Sequence, residues 1–175
     1  MTKDIQEVLI SEEQLQARIR QLAAQVSEEY AGKDPIFIGV LKGVVMFFGD
    51  FVKRITTPCQ IDFMWISSYH GTDSTGSMVV KRDVSENIKG RHVVILEDIF
   101  DTGNSLDFTY KHLLSKEPAS LKICTLLDKP DRRVIDVDVD YVGFQIPDLF
   151  VVGYGLDYAQ HYRNLPYIGV VDVED

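Results

Sequence analysis

Short, almost uninterrupted apolar runs recur along this 175-residue chain and alternate with segments of helical periodicity. Predicted strands lie at 35–41, 60–66, 91–98, 120–128, 140–144, 150–156 and 167–173, with a further short one at 78–82. Strands that alternate with helices of about ten to fifteen residues are typical of βαβ units, and uninterrupted apolar strands are typical of sheets covered on both faces. The sequence therefore predicts an α/β fold with a mainly parallel sheet flanked by helices.

Three segments have the pattern of helices. Ser11 and Gln14 have the spacing of a capping box, and apolar residues then recur at helical spacing, which predicts a helix over 11–30. The other predicted helices cover 44–55 and 104–115. Because a chain of this length fits one domain of ordinary size, we predict a single domain over residues 1–175.

The charge and apolar patterning exclude several classes of partner. The chain has 27 acidic and 18 basic residues and a net charge of −9, and a field of that sign disfavours nucleic-acid binding. The longest apolar stretches, of about eight residues, are far shorter than the roughly 20 that span a bilayer. The first residues lack the pattern of a signal peptide. We therefore expect a cytoplasmic protein with no membrane or nucleic-acid partner.

The most unusual chemistry lies at 93–105, where four apolar residues precede a run of acidic and small polar residues. Three carboxylates, Glu97, Asp98 and Asp101, fall within five positions, which is unfavourable unless hydroxyls or a cation use them. The residues at 102–105 open a helix, where unpaired backbone N–H groups can bind phosphate. An ordinary helix cap explains any one of these Asp residues but not the whole pattern. The pattern therefore predicts a site for a phosphorylated sugar.

This segment resembles the signature of type I phosphoribosyltransferases, which bind phosphoribosyl pyrophosphate (PRPP). The resemblance implies that Glu97 and Asp98 contact the ribose hydroxyls and that the following turn holds the 5′-phosphate. It also implies that Asp101 faces the purine N7 as the candidate catalytic base. The residues that it assigns to the ribose 5-phosphate are Glu97, Asp98, Asp101, Thr102, Gly103, Asn104 and Ser105.

A second motif, Leu41-Lys42-Gly43, follows the predicted strand at 35–41. Alone, Lys42 reads as a solvated surface lysine. The wider segment 39–50 resembles the pyrophosphate-binding loop of hypoxanthine-guanine phosphoribosyltransferases, in which the peptide bond before this lysine is often cis. Val44 departs from the small residue that many members have there.

The turn at 128–133 carries mixed charges and by itself is typical of a surface turn. By resemblance, Lys129 donates to the 6-oxo group of a purine. Because an ammonium group can only donate, it favours a 6-oxo acceptor over the 6-amino group of adenine. Arg133 is expected to help on the phosphate side.

The segments 147–158 and 162–169 resemble the C-terminal part of the same family. Aromatic residues at this density usually belong to the core. The resemblance nevertheless implies that Phe150 stacks on the purine, that Val151 reads base edges through its backbone, and that Arg163 binds pyrophosphate. It assigns Asp157 to Mg²⁺ and places it beside the purine.

The stretch 67–77 is rich in Ser, Thr and Gly and is long for a connection within a domain. Ser68 and Tyr69 resemble a pair on the mobile active-site loop of the family, and closure of that loop excludes water from the reacting sugar. The alternative is a surface loop with no such role.

Together these resemblances imply a purine salvage enzyme that joins hypoxanthine or guanine to PRPP with Mg²⁺ as cofactor. Glu97, Asp98 and Asp157 are the expected metal contacts, and terminal segments are expected to form a small hood over the sheet. The family also suggests a homodimer or homotetramer. Two alternatives stay open: a regulator of this fold that binds PRPP and nucleic acid, and a transferase that prefers xanthine.

Overall fold

The computed structural model describes residues 4–68 and 77–173, and the fold is given for this part of the chain. Its strands and α-helices, in chain order, are β1 (Ile5–Ile10), α1 (Glu12–Glu29), β2 (Ile36–Leu41), α2 (Val45–Val52), β3 (Gln60–Ser68), β4 (Met78–Arg82), β5 (His92–Phe100), α3 (Asn104–Leu114), β6 (Ser120–Asp128), β7 (Tyr141–Gln145), β8 (Val151–Val152) and β9 (Ile168–Val171). A short 3-10 helix covers Pro130–Arg132.

Six strands form a central sheet with the order β4-β3-β2-β5-β6-β7. All of its pairings are parallel except β3 with β4, which is antiparallel. This confirms the predicted α/β fold with a mainly parallel sheet. Because β2, β5 and β6 run in the same direction, the residues after each of them meet at one edge of the sheet.

The helices form where the apolar periodicity and caps predict them. Ser11 caps α1, and both hydrogen bonds of the capping box with Gln14 are present. The apolar face of α1 and three phenylalanines of α2 are buried against the sheet in one core. No helix of the described part is long and apolar enough to cross a membrane.

A second, antiparallel sheet joins the two ends of the chain in the order β1-β9-β8, which confirms the expected hood of terminal segments. β1 was not predicted, because half of its six residues are exposed and its hydrogen-bonded partner, β9, is distant in sequence. The predicted strand at 150–156 is wrong in extent. It ends at Val152, because Gly153, Tyr154 and Gly155 have φ angles of 97°, 50° and 98°.

Candidate active site

Three segments meet closely at the carboxyl edge of the central sheet. A Cβ atom added to Gly43 would lie 1.9 Å from Asp98 Oδ2, and one added to Gly155 would lie 2.0 Å from the Gly43 carbonyl oxygen. The turn after β2, the end of β5 and the C-terminal segment therefore contact each other with no room for side chains. The Leu41–Lys42 peptide bond in this turn is cis, as the resemblance implied.

The turn after β5 is held from behind by the loop that follows β6. The Thr102 carbonyl accepts hydrogen bonds from Val134 N at 2.8 Å and Ile135 N at 2.9 Å. Gly103 has a φ of 94°, and a Cβ there would lie 2.0 Å from the Ile135 carbonyl oxygen. Because the Thr102 carbonyl is occupied on this side, the backbone can present N–H groups at the start of α3 to an anion.

Arg133 supports the same turn. Its Nη1 donates to the Asp101 carbonyl at 2.8 Å and to the Phe100 carbonyl at 3.2 Å, and its Nη2 donates to the Asp128 carboxylate. The guanidinium also lies 3.2 Å from the centre of the Phe100 ring. Arg133 was expected to help at the phosphate; its hydrogen bonds go to the backbone of the turn after β5 and to Asp128, and a part in phosphate binding stays a prediction.

A cavity of about 170 Å³ lies over the end of β5 and the start of α3. The residues that line it are Glu97, Asp98, Ile99, Phe100, Asp101, Thr102, Gly103, Ser105 and Leu106. All the residues assigned to the ribose 5-phosphate are among them except Asn104. Asn104 is exposed, and its N–H donates to Thr102 Oγ1 at 3.4 Å.

Glu97 and Asp98, two carboxylates of this cavity, are buried in surroundings that disfavour their charged forms. Burial, followed by the neighbouring Asp98, raises the pKa of Glu97 well above its ordinary value. Burial also raises the pKa of Asp98, although Ile99 N donates to its Oδ1 at 2.8 Å and Arg163 acts in the opposite direction. Groups of this kind indicate a site where a ligand or cation completes the surroundings.

A second cavity, of about 240 Å³, lies beside the first. The residues that line it are Ile99, Asp101, Lys129, Arg132, Asp148, Phe150, Val151, Leu156 and Asp157. They include all four residues assigned to the purine. Lys129 is only 6% exposed, whereas the Phe150 ring is 43% exposed and meets Tyr158 edge to face at 5.8 Å. An exposed ring and a buried ammonium group in one cavity suit a flat, polar heterocycle.

Sequence reasoning missed several residues of this cavity. In the sequence, Arg132 and Asp148 are typical of surface charges. Their side chains meet because the turns after β6 and β7 lie together, and Arg132 Nη1 is 3.8 Å from Asp148 Oδ1. Ile99 and Leu156 are apolar residues beside the motifs, and no pattern in the sequence distinguishes them from core residues.

Asp101 lines both cavities. Its Oδ1 lies 3.5 Å from Arg132 Nε, but this buried oxygen makes no hydrogen bond within the described residues. A carboxylate oxygen that is buried without a donor at the junction of two cavities is ready to accept a proton or a hydrogen bond from a ligand there.

The two candidate pyrophosphate cations converge on a residue that the sequence did not indicate. Gln160 Oε1 accepts from Arg163 Nη2 at 3.2 Å and from Lys42 Nζ at 3.5 Å. Arg163 also donates to the Gly155 carbonyl at 2.7 Å and pairs with Asp157 at 3.4 Å. Lys42 and Arg163, far apart in sequence, thus lie on either side of one neutral acceptor.

The loop predicted at 67–77 is described only at its ends. Ser68 is the exposed last residue of β3, and its Oγ donates to Met78 Sδ at 3.5 Å. Tyr69 and the rest of the segment to residue 76 lie outside the described residues. The role assigned to Ser68 and Tyr69 therefore stays a prediction.

The three carboxylates expected to contact metal do not form one group. No cluster of three or more His, Cys, Asp or Glu in the described ranges could hold a metal ion. Asp157 is instead engaged by Arg163 and by Gln160 N, whose hydrogen bond to Asp157 Oδ2 is 2.9 Å long. Mg²⁺ is often held by one or two carboxylates and the phosphates of a substrate. The Glu97–Asp98 pair fits that partial donor set.

Comparison with known proteins agrees with this geometry. Residues 9–159 match the model of the phosphoribosyl transferase domain family. The chain is 50% identical to a hypoxanthine-guanine phosphoribosyltransferase of Streptococcus pneumoniae, over 99% of this chain and 97% of that protein.

Two solved structures are similar along almost their whole length. The hypoxanthine phosphoribosyltransferase of Staphylococcus aureus superposes with a TM-score of 0.92 at 49% identity, covering 97% of this chain and 92% of that one. A hypoxanthine-guanine phosphoribosyltransferase of Bacillus anthracis superposes with a TM-score of 0.91 at 46% identity, covering 97% and 100%. The chain, with its two adjoining cavities and the signature turn between them, belongs to the hypoxanthine-guanine phosphoribosyltransferase family.

Proposed function

We propose that this protein is a purine salvage enzyme that transfers the 5-phosphoribosyl group of PRPP to hypoxanthine or guanine. The products are the nucleoside 5′-monophosphate and pyrophosphate. The observation that carries this proposal is the position of Asp101, whose buried carboxylate oxygen accepts no hydrogen bond from the described residues and lies where the two cavities adjoin. One cavity takes the ribose 5-phosphate and the other takes the base, so the reacting atoms meet beside Asp101.

The reaction exchanges one bond at the C1 atom of the ribose. The bond from C1 to pyrophosphate breaks, the bond from C1 to the purine nitrogen forms with inversion, and the base gives up one proton. Asp101 accepts or shares that proton at N7 as the base becomes a nucleophile. Glu97 and Asp98 hold the ribose hydroxyls, and N–H groups of the turn at 102–105 bind the 5′-phosphate.

The leaving pyrophosphate needs its charge neutralised, and Lys42 and Arg163 supply two cations on one side of the site. Mg²⁺, held by the substrate phosphates with Glu97 and Asp98, would supply further positive charge to the leaving group. This is compatible with a net charge of −9, since the metal comes with the polyanion.

The choice of base follows from Lys129. Its buried ammonium group donates to a 6-oxo acceptor, whereas the 6-amino group of adenine would leave two donors facing each other. Leaving a buried donor without an acceptor costs about 1–3 kcal/mol, which predicts at least a several-fold preference for 6-oxopurines.

A coupled assay of five bases with PRPP tests the proposal, with and without Mg²⁺. We expect turnover with hypoxanthine or guanine, little with adenine and uracil, and loss of turnover when Mg²⁺ is removed by a chelator. Absence of turnover with every 6-oxopurine would reject the function. Turnover mainly with xanthine would favour the xanthine-preferring alternative.

We further propose that the enzyme works in the cytoplasm as a single-domain homodimer or homotetramer without a nucleic-acid partner. The support is the family resemblance and the acidic net charge. Light scattering during gel filtration would give the oligomeric state. A gel-shift assay at low salt that showed tight, salt-sensitive binding to RNA or DNA would instead favour a regulatory role.

A further inference from the structure

A hydrogen-bonded pair behind the site joins the two segments that carry the candidate pyrophosphate cations. The Tyr154 hydroxyl donates to Asp50 Oδ2 on α2, and Gln16 Nε2 of α1 donates to the same oxygen at 3.0 Å. Tyr154 is only 5% exposed. Asp50 belongs to the helix that begins just after the Lys42 turn, so the pair ties this helix to the C-terminal segment.

The backbone beside Tyr154 continues this connection into the site. Gly155 N donates to the Arg163 carbonyl at 2.9 Å, and Arg163 Nη1 donates to the Gly155 carbonyl at 2.7 Å. Gly155 also lies against the Gly43 carbonyl, with no space for a Cβ between them. A shift of Tyr154 would therefore move both the Arg163 guanidinium and the contact with the Lys42 turn.

The electrostatics favour a strong bond between the two side chains. Burial raises the pKa of Tyr154, and the hydrogen bond to Asp50 raises it further. Although burial opposes it, hydrogen bonds from Tyr154 and Gln16 lower the pKa of Asp50 below its ordinary value. The phenol thus stays protonated and the carboxylate stays charged across the neutral pH range, which is the arrangement of a charge-assisted hydrogen bond.

We infer that Tyr154 and Asp50 are a positioning pair that sets the spacing between Lys42 and Arg163 and thereby the affinity for pyrophosphate. This role rests on the proposed function. Neither side chain lines the cavities assigned to the ribose phosphate and the purine, so the pair acts through the backbone of Gly155 and the start of α2. Loss of the pair should weaken the binding of pyrophosphate and PRPP and leave the binding of the purine unchanged.

The test is Tyr154→Phe, which removes one oxygen atom. Tyr141→Phe is a matched control, because Tyr141 is 4% exposed and its hydroxyl donates to the Glu29 carboxylate on α1, away from the site. Loss of a hydrogen bond to a charged group predicts a Kd for magnesium pyrophosphate raised roughly three- to tenfold in Tyr154→Phe, measured by calorimetry. The KM for PRPP should rise in parallel, and the KM for hypoxanthine should stay within about twofold of its original value. In the Tyr141→Phe control, the Kd for pyrophosphate and both KM values should also stay within about twofold.

A second set of variants separates positioning from folding. Asp50→Ala should reproduce the loss, and adding Tyr154→Phe to it should weaken binding no further. Asp50→Asn keeps an acceptor for the Tyr154 hydroxyl and should therefore retain most of the pyrophosphate affinity that Asp50→Ala loses. Unchanged pyrophosphate binding in Tyr154→Phe, or equal weakening in both tyrosine variants, would overturn the inference. A failure of the unaltered protein to bind pyrophosphate would instead reject the proposed function, and the role of the pair with it.

Discussion

The carboxylates at two places in this protein, after β4 and on β5, have pKa values shifted in opposite directions. Asp83, just after β4, accepts from His112 Nε2 and Lys116 Nζ at 2.9 Å each, and although burial opposes it these bonds lower the pKa of Asp83 to about 2. On β5, burial instead raises the pKa values of Glu97 and Asp98. Two side-chain donors outweigh burial at Asp83, whereas the hydrogen bonds at Glu97 and Asp98 do not outweigh it. Side chains of one chemical type are thus divided between holding the fold and binding a ligand.

The largest effect is expected at Asp101, whose buried carboxylate oxygen accepts no hydrogen bond from the part of the chain that the structure describes. Asp101→Asn should lower turnover roughly ten- to a thousand-fold, because the amide cannot accept the proton of the base. Steady-state kinetics with hypoxanthine measures this, and Asp83→Asn is the control with unchanged turnover. Full activity in Asp101→Asn would show that the general base is assigned wrongly.

Glu97→Gln sharpens the comparison because activity and stability should change in opposite directions. The kcat/KM for PRPP should fall about tenfold or more, as when a hydrogen bond to a charged group is lost. The free energy of unfolding at neutral pH should rise by about 1 kcal/mol, because a neutral amide replaces a buried carboxyl group whose charged form is disfavoured by burial and by Asp98. Urea denaturation measures the second effect, with the exposed Glu86→Gln as control. A less stable Glu97→Gln variant would contradict this account of Glu97.

The pH dependence of stability should differ in sign between the two places. For Glu97 the folded pKa lies above the ordinary 4.5, so its contribution to stability is lost as the pH rises through the folded pKa. For Asp83 the folded pKa of about 2 lies below the ordinary 3.8, so its contribution is present above 3.8 and is lost as the pH falls towards 2. Denaturation from pH 3 to pH 8, about the accessible range, would compare the unaltered protein with each variant. For each variant, the difference in unfolding free energy from the unaltered protein is plotted against pH. Two plots with slopes of the same sign would refute the contrast between Glu97 and Asp83.

The smallest effect is expected for Asp83→Asn. Its partners are partly exposed, so the free energy of unfolding should fall by less than about 1 kcal/mol, and less at high salt. Thermal denaturation at two salt concentrations measures this. An equal loss of stability at both salt concentrations would show that Asp83 stabilises the fold through packing and not through charge.

The sequence predicts the middle of the central sheet well because β2, β5 and β6 are largely buried and their apolar runs are nearly uninterrupted. β1 escapes prediction because Gln6 and Glu7 interrupt its apolar residues and because its partner strand, β9, is distant in sequence. The strand predicted at 150–156 stops at Val152 because the backbone at 153–155 is left-handed. At Tyr154 this conformation accompanies a tertiary contact, the hydrogen bond from its N–H to the Leu165 carbonyl at 2.8 Å.

The candidate site is predicted as far as its residues lie in contiguous motifs. The acidic turn that contains Asp101 stands out in the sequence because it follows an apolar strand and carries carboxylates that are unfavourable in a core. Lys129 by itself is typical of a surface turn, and its assignment to the purine comes from the family resemblance. Arg132 and Gln160 were missed, because what they touch depends on how separate loops fold together. The backbone contacts of Arg133 were missed for the same reason.

The hood has a consequence for how the enzyme is made. β9 is the middle strand of the hood and follows β5 and β8 in chain order, and β8 beside it carries Val151 of the cavity proposed for the purine. During synthesis the phosphate turn can therefore form while the wall of the purine cavity still lacks its supporting strand. We expect a nascent chain halted before Ile168 to bind the ribose phosphate and not the base, so the capacity to choose a base is acquired after the capacity to bind phosphate.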